Sequence, residues 1–221
     1  FVAKTVLVFF LVSCAMHDSI NLNNEKTNFV FSFSERFTGI ENNNTYQWLG
    51  IPYAQAPVSS LRWKAPRPLQ DQEKKIKALK FGNPCPQTES VSIDKKGKGL
   101  YVGSEDCLFL NIFTPKNISQ EKNLPVMFWI HGGGNTSGES GSYDFSKLAS
   151  AHNLVIVTIN YRLGFLGWFY HPSFAATSDN LEDRSGNFGT LDQIMALKWV
   201  KQNIEDFGGD KNNVTIFGES A

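Results

Sequence analysis

The chain has 221 residues, 41% hydrophobic and 19% charged, a composition that suits one folded α/β domain of ordinary size and excludes a mainly disordered chain. Twenty-one Lys and Arg balance twenty-one Asp and Glu without a compact basic run, which argues against nucleic acid as a partner. Eighteen Phe, six Tyr and five Trp supply enough large apolar side chains for a sizeable core.

The first residues combine Lys4, an apolar run from Val6 to Val12, and small residues at Ser13 and Ala15. That pattern predicts a secretory signal peptide over residues 1–15, the alternative being a buried core strand. The run falls short of the roughly 20 apolar residues that span a bilayer, so no transmembrane segment is predicted in this part. Cleavage after Ala15 removes Cys14 and leaves Cys85 and Cys107, which in an exported protein suggest a disulfide rather than two free thiols. Export also gives meaning to the N-glycosylation triplets at Asn43, Asn117, Asn135 and Asn213. Asn117 stands in a polar stretch suited to a glycan.

Phe29, Phe31 and Phe33 alternate as a short strand, and Pro52, Pro57, Pro66 and Pro68 then break the chain into loop. Residues 71–80 fit a short strand or a short helix equally. Residues 89–103, with Lys95, Lys96 and Lys98, read as a solvated loop inside the expected disulfide. From Leu108 to Phe113 the pattern is that of a strand, ended by Pro115. Residues 125–130 and 154–159 are nearly uninterrupted apolar runs, the mark of strands covered by helices on both faces. A helix follows, with Thr190 and Gln193 as a capping box and Gly208-Gly209 as its end. Ile194, Leu197 and Ile204 lie on one side of it, and Leu191, Met195 and Trp199 on an adjoining side. Residues 214–217 form the last strand, in a strand, helix, strand order that suggests a parallel crossover.

Two motifs carry chemistry. Gly218-Glu219-Ser220 directly follows a strand, as a nucleophile elbow would, although alone it describes an ordinary turn serine. The other is the strand that runs into His131-Gly132-Gly133-Gly134. Acyl transfer develops an oxyanion, and consecutive glycines let backbone N–H groups surround it. The two together point to acyl transfer with Ser220 as nucleophile and N–H donors from Gly133, Gly134 and Ala221. No spacing suggests a metal, a dinucleotide or a P-loop, so no cofactor is expected.

The segments from Glu105 to Phe113 and from Phe207 to Ala221 resemble the two signatures of the type-B carboxylesterase and cholinesterase family. Leu49-Gly-Ile-Pro-Tyr-Ala54, Leu61-Arg-Trp63, Asn160-Tyr-Arg162 and residues 186–193 match in order, so the resemblance covers roughly residues 46–221. It implies an α/β-hydrolase whose central, mostly parallel sheet has helices on both faces, represented here by its N-terminal part. It further implies a Cys85–Cys107 bridge and two buried ion pairs, Arg62 with Glu105 and Arg162 with Asp192. The segment between the cysteines has no Trp, which argues against choline esters. After the glycines stands Asn135 where the family usually has an aromatic, and a glycan there would crowd the site, so Asn135 is expected to be unmodified.

By that resemblance the order is serine, acid, histidine, which puts the last two beyond residue 221. His131 is expected to pack beside the glycine loop, and His152 and His171 to be loop or surface residues. The sequence thus predicts a signal peptide at 1–15 and, over 16–221, the N-terminal part of a secreted ester hydrolase for small-molecule esters, inactive without the rest. A catalytically inactive relative used for adhesion or binding is the alternative.

Overall fold

The apolar runs leave no polar face, and such segments are stable only where other elements cover both sides. The computed structural model describes residues 29–31, 36–42, 44–70, 75–93, 99–119, 123–176 and 178–220. The predicted signal peptide at 1–15, Phe33, Asn43 and Ala221 lie outside the described residues. In chain order the strands are β1 (Phe29–Phe31), β2 (Phe37–Asn42), β3 (Thr45–Pro52), β4 (Ile76–Lys77), β5 (Gln87–Ile93), β6 (Gly99–Val102), β7 (Phe109–Pro115), β8 (Leu124–Ile130), β9 (Val155–Ile159) and β10 (Gly209–Gly218). The helices are α1 (Ser146–His152), α2 (Gly164–Gly167), α3 (Pro172–Ala175) and α4 (Phe188–Asn203).

One mixed sheet runs β1-β2-β3-β7-β9-β8-β10, with β4 paired to β2. Pairing is antiparallel from β1 through β3 and β7 to β9. It is parallel across β9, β8 and β10. All five residues of β9 are buried, and their alternation divides the core. Val155, Val157 and Ile159 pack in one cluster with Ala196, Trp199 and Val200 of α4, while Ile156 packs with Ala149 of α1 and Phe113 of β7. The two helices therefore cover opposite faces, and each large side chain buried this way contributes about 1.5–3 kcal/mol relative to exposure.

Several sequence expectations are corrected. Of the predicted loop at 89–103, residues 94–98 with Lys95, Lys96 and Lys98 lie outside the described residues, and the segments flanking them are strands: β5 and β6 form a two-stranded antiparallel ribbon, with Gln87 opposite Val102 and Thr88 opposite Tyr101. Tyr101 is 88% exposed, so its large side chain adds nothing to a core, and backbone pairing leaves little hydrophobic pattern. The helix starts at Phe188, before Thr190, and its N-cap Asn187 makes no side-chain capping bond. Thr190 instead accepts the Trp168 indole N–H at 3.3 Å, because the fold brings that ring over the first turn. The helix ends at Asn203, and a 3-10 turn over Ile204–Phe207 carries the chain to left-handed Gly208. Ile194 is exposed, the buried face of α4 being formed by Asp192, Ala196, Trp199, Val200 and Asn203. Residues 71–80 contain the two-residue strand β4.

Cys85 and Cys107 form a disulfide, both residues buried. Asn111 of β7 is buried with all its polar atoms engaged. It donates to the Ser140 and Thr158 hydroxyls and accepts the Gly50 N–H, each near 2.9 Å. Arg162 and Asp192 form a buried pair in which the Arg162 backbone N–H, Nε and one terminal nitrogen all donate to the carboxylate. Burial raises the Asp192 carboxyl above its ordinary range, and the Arg162 charge and hydrogen bonds pull against that shift. Arg62 and Glu105 also pair, two donors to two oxygens, but their side chains are 41% and 25% exposed. That pair is at the surface, where solvent screens it. A buried acid that no motif pointed to, Asp183, accepts the Ala65 N–H, Arg67 and the Ser178 hydroxyl.

Two stability outcomes follow for the full-length protein in urea titrations. Asp192→Asn leaves the Arg162 guanidinium buried without its counter-charge and should lower unfolding free energy by about 3–5 kcal/mol, whereas Arg62→Gln should barely move the midpoint. The paired change Cys85→Ser with Cys107→Ser opens a bridge spanning 22 residues of sequence and should remove about 3 kcal/mol.

Candidate active site

Parallel pairing sets Trp129 opposite Phe217 and Ile130 opposite Gly218. The glycine loop after β8 and the serine turn after β10 therefore leave the sheet side by side, from the carboxyl ends of adjacent strands. The chain passes from β8 through α1 to β9 on one side of β8, then through α4 to β10 on its other side. Strand order reverses at β8, and open α/β sheets bind ligands outside the carboxyl ends at such a reversal. A cleft of about 510 Å³ opens there, lined among others by His131, Asn135, Tyr161, Trp168, Glu219 and Ser220.

The two motifs touch through backbone. A Cβ on Gly132 would stand 2.4 Å from the Glu219 carbonyl oxygen and 2.9 Å from Ser220 Cβ, so only glycine lets the turn come this near. Gly218 is equally confined, with a Cβ there 2.7 Å from the Ile130 carbonyl oxygen. Ser220 is exposed and has φ of 62°, a left-handed backbone that non-glycine residues adopt rarely and mostly in sharp turns.

Behind the cleft, the loop is fastened through its carbonyls. His131 Nδ1 lies 2.8 Å from the Gly132 oxygen, and since a carbonyl can only accept, Nδ1 carries a proton. The His131 ring is buried and stacks on Tyr161 with centroids 4.4 Å apart. Burial lowers the His131 pKa, against a smaller upward effect of the Gly132 hydrogen bond, so the imidazole is neutral at pH 7. Tyr161 donates its phenol O–H to the His131 carbonyl at 2.5 Å. Burial, with a contribution from Tyr143, pushes that phenol up to about 12, so it remains a donor. The Gly133 oxygen accepts the N–H groups of Thr136 and Ser137, both at 3.1 Å, and also the hydroxyls of the same two residues. The Asn135 oxygen accepts the Gly164 N–H at 2.7 Å. At the far end Gln87 grips Gly138 twice, accepting its N–H at 2.8 Å and donating to its oxygen at 2.9 Å. The same Gln87 amide reaches the Cys85 carbonyl, which ties the loop to the disulfide.

Of the residues singled out in the sequence, Ser220 lines the cleft, Gly133 and Gly134 belong to the loop whose Gly132 touches the Glu219–Ser220 turn, and Ala221 lies outside the described residues. Asn135, left-handed at φ of 56°, lines the cleft beside them. The Arg62, Glu105, Arg162 and Asp192 side chains do not line it. Exposed Asn117, in a 3-10 turn, and exposed Asn213, within β10, lie elsewhere. His131 is buried beside the loop as expected, while His152 at the end of α1 and His171 are exposed and away from the cleft. Gln87, Tyr161, Thr136 and Ser137 went unread as site residues. For Thr136 and Ser137 the available signal was hydroxyl side chains directly after a glycine run, which commonly bond back to the chain. Among the described residues no cluster of His, Cys, Asp or Glu could hold a metal ion, and no helix is long and apolar enough to cross a membrane.

This arrangement can present a serine hydroxyl beside a loop of unobstructed amides. Para-nitrobenzyl esterase of Bacillus subtilis (strain 168) is 47% identical over 186 residues, 83% of this chain and 36% of that protein. Fumonisin B1 esterase of Sphingopyxis macrogoltabida is 45% identical over 177 residues, 79% of this chain and 31% of that protein. Among solved structures, a PNB esterase gives a TM-score of 0.72 at 43% identity, covering 88% of this chain and 38% of that one. A carboxylesterase of Geobacillus stearothermophilus gives 0.70 at 37% identity, covering 86% and 37%. The chain spans about a third of the length of the curated relatives it matches. The carboxylesterase family itself matches over residues 34–221, a range that holds every strand from β2 onward, the glycine loop and the serine turn, and to that family the chain belongs.

Proposed function

We propose that the full-length protein hydrolyses carboxylic esters of small molecules through an acyl-serine intermediate. In this reading Ser220 Oγ attacks the ester carbonyl carbon while its proton passes to a histidine base. The carbonyl electron pair moves onto oxygen, where the N–H groups of Gly133, Gly134 and Ala221 receive the developing charge. Collapse of the tetrahedral intermediate expels the alcohol, which takes the proton from the histidine. Water then attacks the acyl-serine by the same path and releases the acid.

The observation that carries this reading is the contact between the Gly132 backbone and the Glu219–Ser220 turn. That contact supports a hydroxyl close to the amides that would stabilise the oxyanion, and such proximity is where acyl transfer gains most. His131 is not the base, because its Nδ1 is bonded to a backbone carbonyl and not to an orienting carboxylate. The resemblance assigns the histidine and its acid to sequence after residue 221. Secretion is part of the proposal and is supported by the Cys85–Cys107 bridge, since such bridges persist mainly in oxidising compartments. With it go a signal peptide over 1–15 and glycans at Asn43, Asn117 or Asn213, with Asn135 left bare beside the cleft.

Two kinetic outcomes test the mechanism in the full-length protein. A fluorophosphonate probe should label Ser220, and Ser220→Ala should lower turnover of short nitrophenyl esters by about 10⁴-fold or more, with the fold retained by circular dichroism. Undiminished turnover in that variant would exclude the acyl-serine path. Gly132→Ala forces the serine turn off the loop and should lower kcat roughly 100-fold, with probe labelling slowed in parallel.

A further inference from the structure

We propose that the hydroxyls of Thr136 and Ser137 are positioning groups for the oxyanion hole: they hold the Gly133 carbonyl so that the Gly134 N–H stays aimed at the ester oxygen. The proposal rests on the serine-esterase reading above. A trans peptide unit is planar, with its C=O and N–H pointing in opposite directions, so anchoring the Gly133 oxygen fixes the Gly134 N–H. This unit is flanked by glycine on both sides, and nothing on either Cα resists its rotation about the Cα–Cα axis. A flipped unit would put a carbonyl oxygen where negative charge develops, which reverses the sign of the interaction.

Four donors converge on that one oxygen. The N–H groups of Thr136 and Ser137 stand at 3.1 Å and are what a tight turn supplies in any sequence. The Thr136 hydroxyl at 3.1 Å and the Ser137 hydroxyl at 3.2 Å are specific to these side chains. A carbonyl oxygen has two lone pairs, so the four share it and each alone is weakened. The neighbouring unit, from Gly132 to Gly133, is held differently, by His131 Nδ1 on the Gly132 oxygen. Both hydroxyls donate to the Gly133 oxygen, so Thr136 and Ser137 act through Gly133 and not on the substrate.

The test compares the full-length protein with Thr136→Val/Ser137→Ala, made in a host without N-glycosylation so that loss of the Asn135 triplet has no part in the result. On a nitrophenyl ester the double variant should lose about tenfold in kcat with KM within about twofold. Its affinity for a trifluoromethyl ketone, whose serine adduct is an oxyanion, should fall by the same factor. The conservative pair Thr136→Ser/Ser137→Thr, which keeps both hydroxyls, should recover most of kcat. An unchanged kcat, an unchanged ketone affinity, or a loss that the conservative pair does not recover would each overturn the proposal. Ser220→Ala measured alongside separates the two readings. Turnover that persists in it overturns the serine mechanism and this proposal together, whereas turnover lost in it but kept in the hydroxyl-free variant overturns this proposal alone.

Discussion

The Cα of Gly132 rests against the Glu219–Ser220 turn with no room for a methyl group, and the site is built outward from that contact. It exists because β8 and β10 are parallel neighbours in a register that ends both strands together, Ile130 opposite Gly218. A second glycine at 218 lets the two strand ends close, since a Cβ there would meet the Ile130 carbonyl. The left-handed Ser220 belongs to the same constraint. A sharp turn lifts the hydroxyl off the sheet, and its strain is held by the packing of the turn against Gly132 at the end of the neighbouring strand.

Support for that contact comes from elements far from it in sequence. Tyr161, just after β9, packs its ring on His131 and bonds the His131 carbonyl, so the strand beside β8 steadies the start of the glycine loop. The next residue, Arg162, is locked to Asp192 on α4 and also donates to the Lys64 carbonyl. One short segment thus joins the sheet, the helix on one face and the loop after β3. Burying a charge pair is a poor way to gain stability, because desolvation offsets most of the attraction. Its value here is geometric: three donors on one carboxylate admit a single placement of α4 against the end of β9. The disulfide acts on the loop's other end, through Gln87 and Gly138.

Strands β8 and β9 were legible because burial on both faces writes itself as an apolar run. The glycine and serine motifs were legible because their chemistry restricts residue type at fixed positions. The ribbon of β5 and β6 left no such mark, since Tyr101 faces solvent and backbone pairing is common to all residues. Thr190 and Gln193 have the spacing of a capping box, yet the Trp168 indole takes the Thr190 hydroxyl and the helix begins earlier, a tertiary contact that no local pattern encodes. Depth was the other blind spot. Arg62 with Glu105 and Arg162 with Asp192 look alike as residue pairs, and only the packed fold separates a solvated pair from a buried one. Gln87 was unreadable for a related reason, since a single amide side chain has no motif until the backbone groups it bridges are brought to it.

Folding and the proposed chemistry make opposite demands on the glycine loop. Backbone N–H groups free for a substrate must be left without partners in the free protein, and a run of glycines loses more conformational freedom on ordering than other residues do. The loop reconciles the two by dividing each peptide unit's work. The carbonyls of Gly132, Gly133 and Asn135 are all engaged on the protein side, by His131, by Thr136 with Ser137, and by the Gly164 N–H. Because a planar unit has two opposed ends, fixing these three carbonyls orients the amides that follow them without occupying those amides. The backbone is then ordered before substrate arrives, and preorganised amides stabilise a developing oxyanion without reorganising during the reaction. Side chains at these glycines would defeat the arrangement twice, by blocking the serine turn at Gly132 and by refusing the φ of 113° at Gly133.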